Sequence, residues 1–329
     1  MVLSLDQPLA RISIDGVPVP GLVELEVDAG GVFLAGRFLA GFAIGAAAGF
    51  GSGFFAALTN QNVMIEAAPA GMGYITLLTG RIDAVRIDLV KNIAYICGRD
   101  QTSLLIDTEI AQSYVNQTAS QIAELIAVEH GLIPNIAVTH RLVGQYYQRD
   151  HARTALGLSS HVTTEWELLT ALARDEGFLV SVTNGLLNFG PPQIGAPAVV
   201  VPGMFSDLVL DVITALPGAV RVKSWNCRNK AVISESYGAG LETIIVRPNL
   251  MQDQANRLAQ AHAQILSQHQ MIMLARMPGE TLLAPGGQMI LAGAGMGLDQ
   301  TYGIDAVMRR LNGKEGFVQD IRAHAVMVV

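Results

Sequence analysis

TGRIDAVRIDLVKNIAYICG, residues 79–98, decides how this chain is read. Val and Ile alternate with Arg, Asp and small residues on both sides of Leu89-Val90-Lys91-Asn92. Successive side chains of a strand point to opposite faces, so this pattern gives two strands joined at that tetrapeptide, a hairpin with one polar face. Working outward, segments 9–14, 22–28, 63–67 and 74–88 are likewise rich in Val and Ile and punctuated by Gly, Pro and Asp. The first hundred residues therefore predict an antiparallel β region.

The period changes after Gly98. Residues 102–106 suit a short helix, and 120–129 (SQIAELIAVE) place apolar residues at helical spacing, with Ser120 as N-cap and Gly131 as terminator. Residues 164–176 (TEWELLTALARDE) repeat the device, with Trp166, Leu169, Leu172 and Ala173 on one face and Gly177 at the end. A hairpin follows at 178–189, turning at Asn184-Gly185. Residues 191–202 read as a connector, and strands resume at 206–213 and 219–225. Residues 249–270 predict a Gln/Ala-rich amphipathic helix capped by Asn249, and 279–329 return to strands broken by Pro285-Gly286-Gly287 and 293–297. The two β regions are candidate distant copies of one another.

Composition bounds the function. In 329 residues, 50% are hydrophobic and 15% charged, which excludes a disordered chain and suggests surface buried between subunits. A net charge of -7, with no Lys/Arg-rich run, argues against binding to a phosphate backbone. Cys97 and Cys227 give no disulfide framework, and the first twenty residues lack the marks of a signal peptide, so folding in a reducing cytoplasm is expected.

Residues 38–58, FLAGFAIGAAAGFGSGFFAAL, are uncharged over the length of a membrane span. Eight large apolar residues would favour insertion by about 0.3–0.6 kcal/mol each, roughly 2.4–4.8 kcal/mol together. Five glycines oppose it at about 1 kcal/mol each in helix propensity, and no aromatic belt or basic flank frames the segment. The preferred reading is a strand (37–44), a Gly/Ala turn and a short helix (54–58), without stable membrane insertion. A further reading makes Phe50, Phe54 and Phe55 a buried subunit contact.

Catalytic chemistry finds little support. The glycine runs 49–53 and 293–297 lack the full phosphate-loop fingerprint and read as turns. Glu165, Glu167, Asp175 and Glu176 could supply an acid and a base, but on an amphipathic helix they read as its solvated face. His130, His140, His151 and His161 fit no metal-ligand spacing and read as surface or cap residues. No catalytic residue, cofactor or metal is expected; Trp166 and Phe178 are candidate core anchors.

Several blocks in order resemble the late control protein D family of contractile-tail baseplate hubs, which share their fold with the hub portion of VgrG spike proteins. They are Thr79–Asp83, Gly98–Asp100 with Leu104–Thr108, and Asn116–Ala123. Thr164–Leu169 with Asp175–Phe178, and Asn188–Gly190, follow. The series closes with Leu283–Gly286, Gln300–Tyr302 and Gly316-Phe317. The resemblance implies an α+β, mainly β chain with two tube-like antiparallel β-barrel domains, residues 1–98 and 201–329. An α+β middle domain, 99–200, lies between them, and a helical insertion near 249–270 interrupts the second barrel. It further implies a non-enzymatic homotrimer in a virion tail baseplate, assembled in the bacterial host cytoplasm and joining the tail tube protein to a spike protein, with a tape measure protein as a further neighbour. Since the last barrel strands run close to Val329, the spike is expected to be another polypeptide. The competing functions are a membrane-active tail protein using 38–58 and a cell-wall hydrolase using the Glu165–Glu176 region.

Overall fold

The computed structural model describes residues 9–68, 73–110, 114, 116–140, 142–143, 164–191, 197–213, 218–226, 230–248, 250–267 and 270–326. The fold class is α+β and mainly β. The opening hairpin is present: β6 (Ile75–Asp88) and β7 (Ile93–Asp100) pair antiparallel from Gly80↔Asp100 to Asp88↔Ile93. Around it lie β1 (Leu9–Ile14), the two-residue β2 (Val17–Pro18), β3 (Leu22–Gly31), β4 (Arg37–Ala43) and β5 (Asn62–Ala68). Their inward alternation buries Ile12, Val27, Phe38, Phe42, Ile65 and Ile96 in one core. The segment between β4 and β5 is a turn followed by a five-residue helix, α1 (Ser52–Ala56), two residues earlier than expected.

The second β region is β11 (Ala198–Val200), β12 (Asp207–Val212), β16 (Met271–Pro278), β17 (Gln288–Leu291), β18 (Thr301–Asn312) and β19 (Gly316–Ala325), around a core that includes Met273, Met289, Tyr302 and Ile321. Two of these strands went unread in the sequence: β16, and β11 inside the supposed connector, where it pairs parallel with β17.

The two regions repeat one connectivity. In each set of six (β1, β3, β4, β5, β6, β7 and β11, β12, β16, β17, β18, β19) the first strand pairs the fourth and the second the third. The third pairs the sixth, the sixth the fifth, and the fifth the fourth. They differ in one sense: β1 runs antiparallel to β5 whereas β11 runs parallel to β17. Instead of standing as separate closed barrels, the copies are fused into one 13-stranded sheet through the antiparallel pair β18–β3, and the pairing among the described residues closes no barrel.

Two smaller mixed sheets carry the helices. β8 (Ile133–Ile136), β9 (Leu179–Thr183) and β10 (Leu186–Gly190) are covered by α2 (Thr102–Ile106), α3 (Ala119–Glu129) and α4 (Glu165–Glu176). β13 (Ala219–Asn226), β14 (Ala231–Gly238) and β15 (Glu242–Val246) are covered by α5 (Gln252–Ser267), which packs against α4. The expected helical insertion is thus a β-β-β-α unit between β12 and β16. The N-cap of α3 is Thr118, not Ser120: Thr118 and Gln121 form a capping box, while the Ser120 hydroxyl accepts from Thr139 N–H at 3.1 Å. The expected cap Asn249 lies outside the described residues.

Candidate functional site

The aromatic loop comes first. Gly45 and Gly49, at φ 76° and 90°, bend the chain back after β4, leaving residues 45–49 exposed. The three rings that follow then fold beneath the loop. Phe55 is 0% exposed and lies 5.8 Å from Phe42 in the first core, so it presents nothing to a neighbour. Phe54 stands edge-on to Phe55 at 5.2 Å, and Phe50 edge-on to Phe54 at 4.8 Å; both remain half-buried. Of the three candidate interface residues, Phe50 and Phe54 therefore keep accessible surface.

The outer face of the large sheet is a charged lattice. Arg276 holds Asp320 at 2.7 Å, Asp320 also meets Arg310, and Arg37 meets Asp28 at 3.2 Å. Arg99 binds Asp83 at 2.7 Å and Asp107 at 2.9 Å, tying β6 to the end of α2, and these two hydrogen-bonded carboxylates hold its guanidinium further above its usual range. Exposed pairs of this kind contribute about 0–1 kcal/mol each, so they order the face more than they stabilise it.

Both copies place a bulge at the same point of this face. β6 shifts register between Ile82 and Ala84, and β18 between Ile304 and Ala306. The sequence around each is identical, Ile82-Asp83-Ala84-Val85 and Ile304-Asp305-Ala306-Val307. The bulged aspartate in each case turns to a cationic or titratable partner on the sixth strand, Asp83 to Arg99 and Asp305 to His324 at 2.6 Å. This tetrapeptide repeat is the signal in the sequence that would have revealed the duplication. A groove of ≈ 670 Å³ runs beside the first bulge, between Ala56–Asn60 and residues 82–87 of β6.

In the helical layer Trp166 is 7% exposed within the shared core, and Phe178 is half-buried, edge-on to Phe189 at 5.5 Å. The carboxylates of α4 do not all face solvent as expected. Glu165 is buried and meets His130, the C-cap of α3, at 2.5 Å, while Glu167 closes a capping box with Thr164. The His130–Glu165 pair joins two helix ends and has a structural position. His151, His161 and Cys227 lie outside the described residues. Among the described residues no group of three or more His, Cys, Asp or Glu could hold a metal ion, and no helix is long and apolar enough to cross a membrane.

No protein-family model matches the sequence, and no curated protein matches it either. Solved structures do match. The 43 kDa tail protein of prophage MuSo2 from Shewanella oneidensis aligns over 96% of this chain and 98% of its own, at 17% identity and a TM-score of 0.70. A tail protein from Neisseria meningitidis MC58 aligns over 97% and 96%, at 13% identity and a TM-score of 0.74. The chain has the fold of these tail proteins. An E. coli type VI secretion component, described as structurally similar to the T4 bacteriophage tail proteins gp27 and gp5, aligns over 96% of this chain and 77% of its own, at 13% identity and a TM-score of 0.63.

Proposed function

We propose that this chain is a structural hub of a phage-type tail baseplate, of the late control protein D type, acting as a homotrimer on the particle axis. The observation that carries the reading is the duplication: one chain holds two six-stranded units of the same connectivity, fused edge to edge. Three copies then present six like units to a sixfold tail tube protein and three chains to a trimeric spike protein, with a tape measure protein as a further neighbour. The match to tail proteins along nearly the whole of both chains supports it.

On this reading residues 1–98 and 201–329, the latter joined by β11 (Ala198–Val200), form the two tube units, and the α+β region between them decorates them. Phe50 and Phe54 contribute to a subunit contact, and the protein is non-enzymatic and resides in the virion tail after assembly in the host cytoplasm. Reconstruction of the intact tail tests it. Three copies around the axis, between tube and spike, are expected; one copy, six copies or an off-axis position overturns the proposal.

A further inference from the structure

The duplication also identifies two unfilled sheet edges. In the second copy, residues 301–303 of β18 pair β17, and the stretch beyond the bulge, 306–312, is flanked by β19 on one side and β3 of the first copy on the other. In the first copy, β6 pairs β5 up to Arg81, and its stretch beyond the bulge, 84–88, has β7 on one side and, among the described residues, no strand on the other. The groove of ≈ 670 Å³ runs along that open side. The counterpart of β3 in the second copy is β12, a terminal strand of the large sheet, which pairs β16 alone among the described residues.

We infer that β12 of one copy adds to residues 84–88 of β6 in the next, repeating between chains the β18–β3 pairing made within one chain. This deepens the trimeric reading and rests on it. The register follows from the equivalence. Ala84 corresponds to Ala306, and Leu25-Glu26-Val27-Asp28 of β3 corresponds to Leu208-Val209-Leu210-Asp211 of β12, because each set of four stands opposite equivalent residues of the strands beside it. Met308↔Asp28, Arg309↔Val27 and Arg310↔Glu26 thus become Arg86↔Asp211, Ile87↔Leu210 and Asp88↔Val209.

The chemistry suits that register. Arg86 and Asp211 are both exposed and bring opposite charges together across the strands. Val209, Val212 and Ile213 at one edge, and Leu89 and Val90 beside the other, are exposed apolar residues that the pairing would cover. The β12 sequence, DLVLDV, holds no proline, glycine or lysine to discourage addition of a strand. The contact is head to tail, so repetition either closes a ring or runs on as a filament, and two like units per chain favour closure at three chains.

The test uses the full chain with Cys97 and Cys227 replaced by Ser, carrying Arg86→Cys and Asp211→Cys together. Residues directly opposite across strands lie within disulfide reach, so mild oxidation is expected to give a reducible covalent trimer on denaturing gels. The pair Arg86→Cys with Asp207→Cys, four residues out of register, is expected to give at least about tenfold less cross-linked product. Equal cross-linking by both pairs overturns the register. No 86–211 disulfide in either the isolated chain or assembled tails overturns the edge pairing, while the copy number of the chain in the tail reports separately on the homotrimer.

Discussion

Asp100 shows how one side chain couples the two layers. Its carboxylate accepts from Gly36 N–H at 2.7 Å and Thr102 N–H at 2.9 Å, so it pins the β3–β4 connection and starts α2 in one place. Burial pushes its pKa up to about 6, against the hydrogen bonds that pull it down. The fold therefore favours the neutral acid. That contribution is fully present below the ordinary carboxylate range near pH 4 and is lost as pH rises through about 6, a swing on the order of 3 kcal/mol. Asp100→Asn keeps one acceptor and removes the ionisation. Its denaturant stability is expected to fall less than the parent's between about pH 4 and 7, the difference between the two changing by on the order of 3 kcal/mol; parallel profiles in both proteins would refute the assignment. No sequence pattern foretold this, since the shift arises from burial in the folded chain, and the Gly36 N–H that pulls the pKa part of the way back comes from 64 positions away.

At the scale of elements, α1 is too short to hold itself and has no side-chain cap, so burial of Phe55 and the edge-on Phe54 and Phe50 rings keeps it in place. Phe50→Asp sets a charge against those rings and is expected to lower stability by roughly 2 kcal/mol in chemical denaturation. Wild type is expected to stay with the aqueous phase in liposome flotation, and flotation with vesicles would revive the membrane reading. Local signals placed most elements well: Asn184 and Gly185, both at positive φ, turn the β9–β10 hairpin, and Gly177 ends α4 at φ 70°. The sequence reading puts the α3 cap two residues late because Ser and Thr are both favoured caps, and only the backbone geometry chooses Thr118.

For the whole molecule, the β-β-β-α unit behaves as an insertion into a continuous sheet. β12 leaves and β16 returns as adjacent strands, with Val212 opposite Met271 and Ile213 N–H donating to Gln270 at 2.8 Å. Replacing residues 214–269 by Asn-Gly should therefore close a two-residue hairpin and leave the large sheet intact. The shortened chain is expected to remain folded, with its β signature kept in circular dichroism. Cooperative unfolding lost altogether would show that the packing of α5 on α4 is indispensable.

By itself, the sequence determined the β, α+β, β order, the class and most strands, because alternation, caps and turn residues act between neighbours in the chain. It could not determine that β3 and β18, some 280 positions apart, fuse the two β regions into one sheet, or that Glu165 is buried against His130. Nor could it show which of Phe50, Phe54 and Phe55 keeps a surface. Strand partners and side-chain burial depend on which edges and faces meet in space, and only the tertiary structure decides that.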